Sequence, residues 1–506
     1  MTSELPLAHN GKAVPLGGVA RVSLETFRRI VIEAPTRDRR VSALFGRPAG
    51  GGVELVAVLA VDEEGGLELV CCALEGDHYP SMTPHCTQVH LFEREIAEQW
   101  GVVPEGHPWL KPVRFVASGR KGHDAWGRPG GEPATVGLMD YYQVEGEEIH
   151  EVAVGPVHAG VIEPGHFRFQ CHGEHVFHLE ISLGYQHRGV ERALVGGPGK
   201  RSIHYAETLA GDTTIGHALA YAQNVESLAQ CRVPARAHAL RGIALELERL
   251  ANHTGDLGAL AGDVGFLPTA SYCGRLRGDF LNLTALLCGS RFGRGFVRPG
   301  GVGFDLEPAR VTQVLERLTA AYRDVKNAVE LLWTSATVQA RFEETGRVDG
   351  KVAAELGLVG VAARACGLLR DVRKTHPSGI YRFTHVPAST THTGDVFARA
   401  YVRWLEIQRS VTLVQTLLKE LPEGPSRVAC GAPRPGQACV SLVEGWRGEI
   451  CHVALTDDAG RFETYKIVDP SFHNWSGLAM ALRDQQISDF PLCNKSFNLS
   501  YCGHDL

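Results

Sequence analysis

Between Val41 and Leu74 the apolar segments ALF, VELVAVLAV and LELVCCAL are separated by a Gly-rich turn and a Glu-Glu-Gly-Gly turn. Extended apolar runs punctuated in this way predict an antiparallel meander. The period then changes. In HLFEREIAEQW, Leu91, Ile96 and Trp100 interleave with Glu93, Arg94, Glu95 and Glu98, the pattern of an amphipathic helix. From Ser118 to Gly137 the chain is rich in Gly and Pro and has no apolar period, which reads as a linker. The expected organisation is a first domain over 1–117, a linker over 118–148 and a second domain over 149–506.

The second domain opens on strict alternation. Phe167, Phe169 and Cys171 alternate with Arg168, Gln170 and His172, and beyond Gly173-Glu174 the residues Phe177, Leu179, Ile181 and Leu183 alternate again. A hairpin is predicted. Helical stripes follow: Leu240, Ile243, Leu247, Leu250, Thr254 and Leu257, with Pro234 suited to a first turn; Val311, Leu315, Leu318, Tyr322, Val325, Val329 and Leu332; and Phe397, Tyr401, Trp404, Val411, Val414 and Leu418. Alternation returns in CVSLVEGWRGEICHVALTDDAGRFETYKIV. The fold class is therefore α+β: a small α/β N-terminal domain and a larger one with a helical core and β-hairpins at its margin.

Composition narrows the function. The chain has 506 residues, 44% hydrophobic and 21% charged, a globular composition too long for one typical core. A formal net charge of −6 supplies no basic surface for nucleic acid or anionic lipid. The longest apolar runs, such as Leu55 to Val61, fall well short of the roughly 20 residues that cross a bilayer. The start, MTSELPLAHNGKAVPLG, lacks a basic segment followed by an apolar one, so a cytoplasmic location is expected. Thirteen scattered cysteines without a Cys-x-x-Cys suit reduced thiols. No phosphate-cradling G-x-G-x-x-G lies between a strand and a helix, so any NAD chemistry is expected of a partner.

Two windows, Ala210-Gly211-Asp212-Thr213 and Ser471-Phe472-His473-Asn474, carry the most specific signal. Their surroundings, GDTTIGHALAYAQNVE and KIVDPSFHNW, resemble the large subunits of group 4 [NiFe] hydrogenases and the 49 kDa quinone-site subunit of respiratory complex I. The blocks LRGIALELERLANH, RFGRGFVRPGGVG, GVAARACGLLRDVRK, TGDVFARAYVRWLEIQRS and SLVEGWRGE follow in the family order. The helix before Gly106-His107-Pro108 is similar to the 30 kDa subunit, and the fusion is similar to the large subunit of formate hydrogenlyase and to hydrogenase-4. The ending, through Cys493 and Cys502, resembles the uncleaved tail of the 49 kDa subunit, whereas hydrogenase large subunits are trimmed after the last ligand motif.

The resemblance implies a site and its departures. In the hydrogenases each window is a Cys-x-x-Cys, and four thiolates hold nickel and iron; here those positions are Ala210, Thr213, Ser471 and Asn474. A methyl, two hydroxyls and a carboxamide do not replace four soft anionic ligands, so no nickel–iron centre is expected. The Tyr and His that donate protons to quinone in complex I align with Ala210 and Ile162. Glu163 matches a carboxylate that relays protons in hydrogenases, with a loop carboxylate bonded to backbone N–H groups as the alternative. His158 and His217 are candidate proton carriers or satisfied core histidines. Asp212, Thr213, Asp469, Ser471, His473 and Asn474, with Ala210, would line the cleft, as a polar pocket or as structural hydrogen-bonding groups. His78, His85, Cys86 and His90 have mixed spacing near a zinc pattern, and Cys493, Cys502 and His504 crowd the tail; neither group is expected to bind metal. The expected role is a redox core subunit that takes electrons from a partner bearing a [4Fe–4S] cluster to a quinone or other small acceptor, beside an antiporter-like membrane arm. The alternative is a non-catalytic subunit that couples or holds partners.

Overall fold

The computed structural model describes residues 5–128, 134–160 and 162–506. The N-terminal meander is present as strands Arg39–Ala49, Gly52–Val61 and Gly66–Ala73, paired antiparallel in sequence order. Leu7–His9 and Ala20–Arg21 both pair with the third strand, antiparallel and parallel respectively. The predicted hairpin forms from His166–His172 and His175–Ser182, with Ile149–Val154 antiparallel to the first of them. The helical stripes lie on Ala235–Asp263, Pro308–Trp333 and Val396–Lys419. The architecture is α+β.

Ala235–Asp263 is the central helix. It packs on Leu267–Cys288 and on Val396–Lys419, and is buried on nearly every side, including Arg241, Glu246, Glu248, Arg249, His253 and Asp256. A helix so enclosed must pair its charges internally. Arg249 donates to Glu246 (3.1 Å), and Arg241 is paired with Glu226.

The C-terminal strands Gln437–Glu444, Glu449–Thr456 and Phe462–Val468 form an antiparallel sheet with apolar side chains on both faces. Ala438, Val440, Leu442, Cys451, Val453 and Leu455 join the core of the N-terminal meander. Cys439, Val443, Ile450 and Ala454 join the helical core. The sheet is thus a wall shared by both halves and buried on both faces, where the alternation predicted one buried face. Val14–Pro15 extends it by pairing with the strand Gln437–Glu444.

The helix His90–Trp100 departs from its amphipathic pattern. Glu93, Arg94, Glu95 and Glu98 are all buried. Glu93 accepts from the Ser81 and Thr83 hydroxyls, Arg94 donates to the Lys111 and Pro112 carbonyls, Lys466 donates to Glu95, and the Arg114 amide donates to Glu98. These charges spread over about 200° of the helix, and residues 81–83, the segment 111–116 and the C-terminal sheet cover them. A charged face can be buried when each charge finds a partner.

Candidate functional site

The first window ends where the helix Thr214–Leu228 begins, and the second opens the helix Pro470–Ala481. Asp469 caps the latter, its Oδ1 accepting from the Ser471 amide at 2.8 Å. Its Oδ2 faces His217 Nε2 at 3.0 Å. His217 Nδ1 lies 3.1 Å from His452 Nε2, and His452 Nδ1 lies 3.0 Å from the Tyr465 hydroxyl. One set of tautomers satisfies the whole chain: Tyr465 donates to His452, His452 to His217, and His217 to Asp469. All four groups are buried. Burial, with His217 beside it, holds His452 well below the ordinary histidine value. Burial opposes ionisation of Asp469, but His217 and Arg447 outweigh it and hold the carboxyl below its usual value.

Arg447 braces the first window. It sits in the turn between two strands of the shared sheet, where Gly448 and Gly360 meet so closely that a Cβ on Gly360 would lie 2.0 Å from the Arg447 carbonyl. Its two terminal nitrogens donate to the two Asp212 oxygens at 2.6 and 2.8 Å, and its Nε donates to the Asn498 carbonyl. Burial raises the Asp212 carboxyl and Arg447 lowers it; the net effect is below the usual value. The Asp212 side chain is 30% exposed while that of Arg447 is buried, so Asp212 is the outward-facing end of the pair.

The side chains of Thr213, Ser471 and Asn474 are already bonded. Trp446 donates its indole N–H to Thr213 Oγ1 (3.1 Å), and Thr213 donates to Asp212 (3.1 Å). The Ser500 amide donates to Ser471 Oγ at 2.8 Å. Asn474 accepts from the Val359 amide (3.0 Å) and donates to its carbonyl (3.1 Å). Ala210 is fully buried. As a test of fit to nickel and iron, this donor set offers no thiolate, and its two hydroxyls and one amide are engaged with protein partners. The residues present do not fit that centre.

The structure bonds Asp212 to Thr213 and Arg447 in one network, and His217 and the Ser471 amide to Asp469 in another. His473 points elsewhere: two positions along a helix from Ser471 is about 200° around the axis, and its ring meets Phe92 of the N-terminal half at 5.6 Å. Burial pulls it down to about 4. Glu163 accepts from the Tyr501 and Cys502 amides at 3.3 and 3.4 Å, at the start of the short C-terminal helix Tyr501–Asp505. His158 bonds within its own loop, to the Gly165 carbonyl at 2.8 Å. The C-terminal helix lies against Asp469, since a Cβ on Gly503 would sit 2.7 Å from its Oδ2. A cavity of about 590 Å³ is walled by Trp100, Phe115, Val195 and Tyr465, and one of about 760 Å³ opens away from the windows between Tyr272 and Leu331.

Trp446, Arg447, Glu248, His452 and Tyr465 were not singled out by sequence. Glu248 is buried beside the first window and accepts from the Ile215 and Gly216 amides at 2.7 and 3.2 Å. Burial pushes it up to about 8 against the pull of those amides. The signal was present in the blocks LRGIALELERLANH and SLVEGWRGE, whose charged residues lie within apolar stretches. Of the two discounted clusters, His90 faces Ser476 (2.9 Å) while His78 is near Glu105, and Cys493 packs against Gly346 while His504 pairs with Asp505. Among the described residues no three His, Cys, Asp or Glu side chains gather as a metal-ligand set, and no helix is long and apolar enough to cross a membrane.

Comparison with known proteins places these features. Residues 263–432 match the family of the respiratory-chain NADH dehydrogenase 49 Kd subunit, and residues 37–126 that of its 30 Kd subunit. Formate hydrogenlyase subunit 5 of Escherichia coli is 28% identical over 91% of this chain and 84% of its own length. The carbon monoxide-induced hydrogenase of Rhodospirillum rubrum is 30% identical over 69% of this chain and 97% of its own. NADH-quinone oxidoreductase subunit 4 of Thermus thermophilus is 29% identical over 68% of this chain and 90% of its own.

Proposed function

From the premise that the chain belongs to the family uniting membrane-complex hydrogenase subunits with the 49 kDa subunit of respiratory-chain NADH dehydrogenase, fused to a 30 kDa-type domain, we propose that it is the redox core subunit of such a complex, without a nickel–iron centre. It takes electrons from a partner bearing a [4Fe–4S] cluster and passes them to a quinone or another small acceptor. The assembly sits on the cytoplasmic face of the membrane through antiporter-like partners. The observation that carries this reading is the buried chain Asp469–His217–His452–Tyr465, with successive contacts of 3.0 to 3.1 Å, near the part-exposed Asp212 and its partner Arg447. Reduction of an acceptor such as quinone needs protons as well as electrons, and a fixed line of titratable groups beside the windows suits their delivery.

A quinone is not held here by the residues complex I uses, since Ala210 is a buried methyl and Ile162 is apolar. Asp212, held by the buried Arg447, offers a polar contact instead, at a surface that a partner subunit would close. The second reading, a coupling subunit without chemistry, is favoured by the committed window side chains and by the tail helix against Asp469. Electron input to the purified complex separates the two. With its clusters reduced by a low-potential donor, the complex is expected to reoxidise on addition of a short-chain quinone, and Arg447→Met is expected to abolish that reoxidation. Clusters that stay reduced with every small acceptor tried would leave the coupling reading.

Two further outcomes follow from the geometry. Metal analysis of the purified complex is expected to find iron and no stoichiometric nickel; nickel with infrared bands of cyanide and carbonyl ligands would overturn the assignment. Glu163→Gln keeps the shape of a side chain that accepts from two backbone amides while removing its proton. If Glu163 relays protons, turnover falls roughly 10²-fold with assembly unchanged. Full turnover would make it a brace for the C-terminal helix alone.

A further inference from the structure

Two thiols far apart in sequence meet at the surface. The helix Thr214–Leu228 ends in a left-handed residue, Gln230 (φ 52°), whose amide donates to the Ser227 carbonyl while the Cys231 amide donates to Glu226. This pair of bonds closes the helix and sets the Cys231 backbone. The segment 427–434 is held against the same place: the Val428 amide donates to Gly300, and the Arg434 amide to the carbonyl of Leu228. Cys430 lies between these anchors, and its thiol is beside that of Cys231. Cys231 Sγ is 3.9 Å from the Ala429 carbonyl. Both cysteines are half-buried, whereas most of the thirteen are buried. Cys71 and Cys72 are neighbours too, but they are buried and alternate to opposite faces of a strand.

We propose that Cys231 and Cys430 form a reversible disulfide by exchange with a small-molecule disulfide such as oxidised glutathione. The Cys231 thiolate attacks one sulfur of the oxidant, forming a mixed disulfide and releasing one thiol. Cys430 then gives up its proton and displaces the second thiol from Cys231. The two protein thiols are oxidised by two electrons, the small disulfide is reduced to two thiols, and no other oxidant is needed. Burial, and then the adjacent Cys231, disfavour the Cys430 thiolate, and the contact of Cys231 Sγ with the Ala429 carbonyl is exposed, so the oxidant meets Cys231 first. The bond would tie the segment leading into the shared sheet to the end of the helix that carries His217.

The test uses the assembled complex incubated with oxidised glutathione, quenched by alkylation, digested and analysed by mass spectrometry. The expected product is a peptide pair joined through Cys231 and Cys430, lost on treatment with dithiothreitol. In Cys430→Ser the glutathione adduct should persist on Cys231, and in Cys231→Ser residue 430 should remain alkylatable after denaturation. A wild-type complex in which Cys231 stays free, or keeps its glutathione adduct without crosslinking, would overturn the assignment.

Discussion

Glu406→Ala is expected to destabilise the protein by about 3–5 kcal/mol, the range for removing one partner from a buried ion pair. Glu406 is fully enclosed on the helix Val396–Lys419. Its Oε1 accepts from Arg364 (2.8 Å) and Arg373 (3.0 Å), and its Oε2 lies 2.6 Å from His253 and 3.8 Å from Arg249. Glu246, Asp371 and Glu444 also face these arginines, but they are engaged in place and cannot move to fill the gap. Alanine leaves Arg364 and Arg373 short of a counter-charge in a site closed to water. Glu406→Gln keeps an acceptor and the volume, so it should lose less. The carboxyl is held well below its ordinary value: burial opposes this, and Arg364 and His253 override it. Its contribution is thus present above the unfolded carboxylate value and fades as pH falls below it. Denaturant unfolding of wild type and both variants would measure the differences; a loss under about 1 kcal/mol for alanine would sink the argument.

Glu248→Gln should act in the opposite sense and show itself through pH. A carboxyl raised from 4.5 to about 8 keeps its proton in the folded state where the unfolded chain has released it. Stability therefore falls as pH rises between those two values, and the cost reaches about 3–5 kcal/mol near pH 8 at roughly 1.4 kcal/mol per unit. Glutamine is uncharged at every pH and retains one acceptor for the Ile215 and Gly216 amides. The variant should gain on wild type steadily from pH 5 to pH 8. Comparing the two proteins removes the separate slope from buried histidines such as His452 and His473, which favour unfolding as pH falls below 6.5 because the unfolded chain protonates first. Parallel stability curves for the two proteins would show that Glu248 is ionised throughout.

Some of this architecture is visible in local pattern. The meander, the hairpin about Gly173 and the three apolar stripes depend on periods of two and of about three and a half, which survive in any environment that buries one face. The stripe Leu240 to Leu257 is buried as expected, and so are Trp404, Val411, Val414 and Leu418. The two windows were also locatable, because their flanking blocks preserve the residue order of a known scaffold. The side chains that organise them were harder to see. Arg447 lies 235 residues from Asp212, and His452 the same distance from His217; no spacing rule links such pairs.

Burial of charge is the other boundary. Glu93, Glu95, Glu246, Glu248 and Glu406 occupy helical positions that look the same in sequence whether they face water or a buried arginine. His473 and Asn474 are adjacent in the chain, yet one points toward Phe92 and the other binds the Val359 backbone. The sequence by itself determined the elements, the family scaffold and the loss of four thiolates from the windows, since these rest on residue identity and on periodicity along one segment. Only the tertiary structure decided that the C-terminal sheet would be shared by both halves, that Arg447 would brace the first window and that Cys231 would meet Cys430. Those outcomes depend on which surfaces fold against each other, and a polar group's partner is chosen only when the surrounding water has been removed.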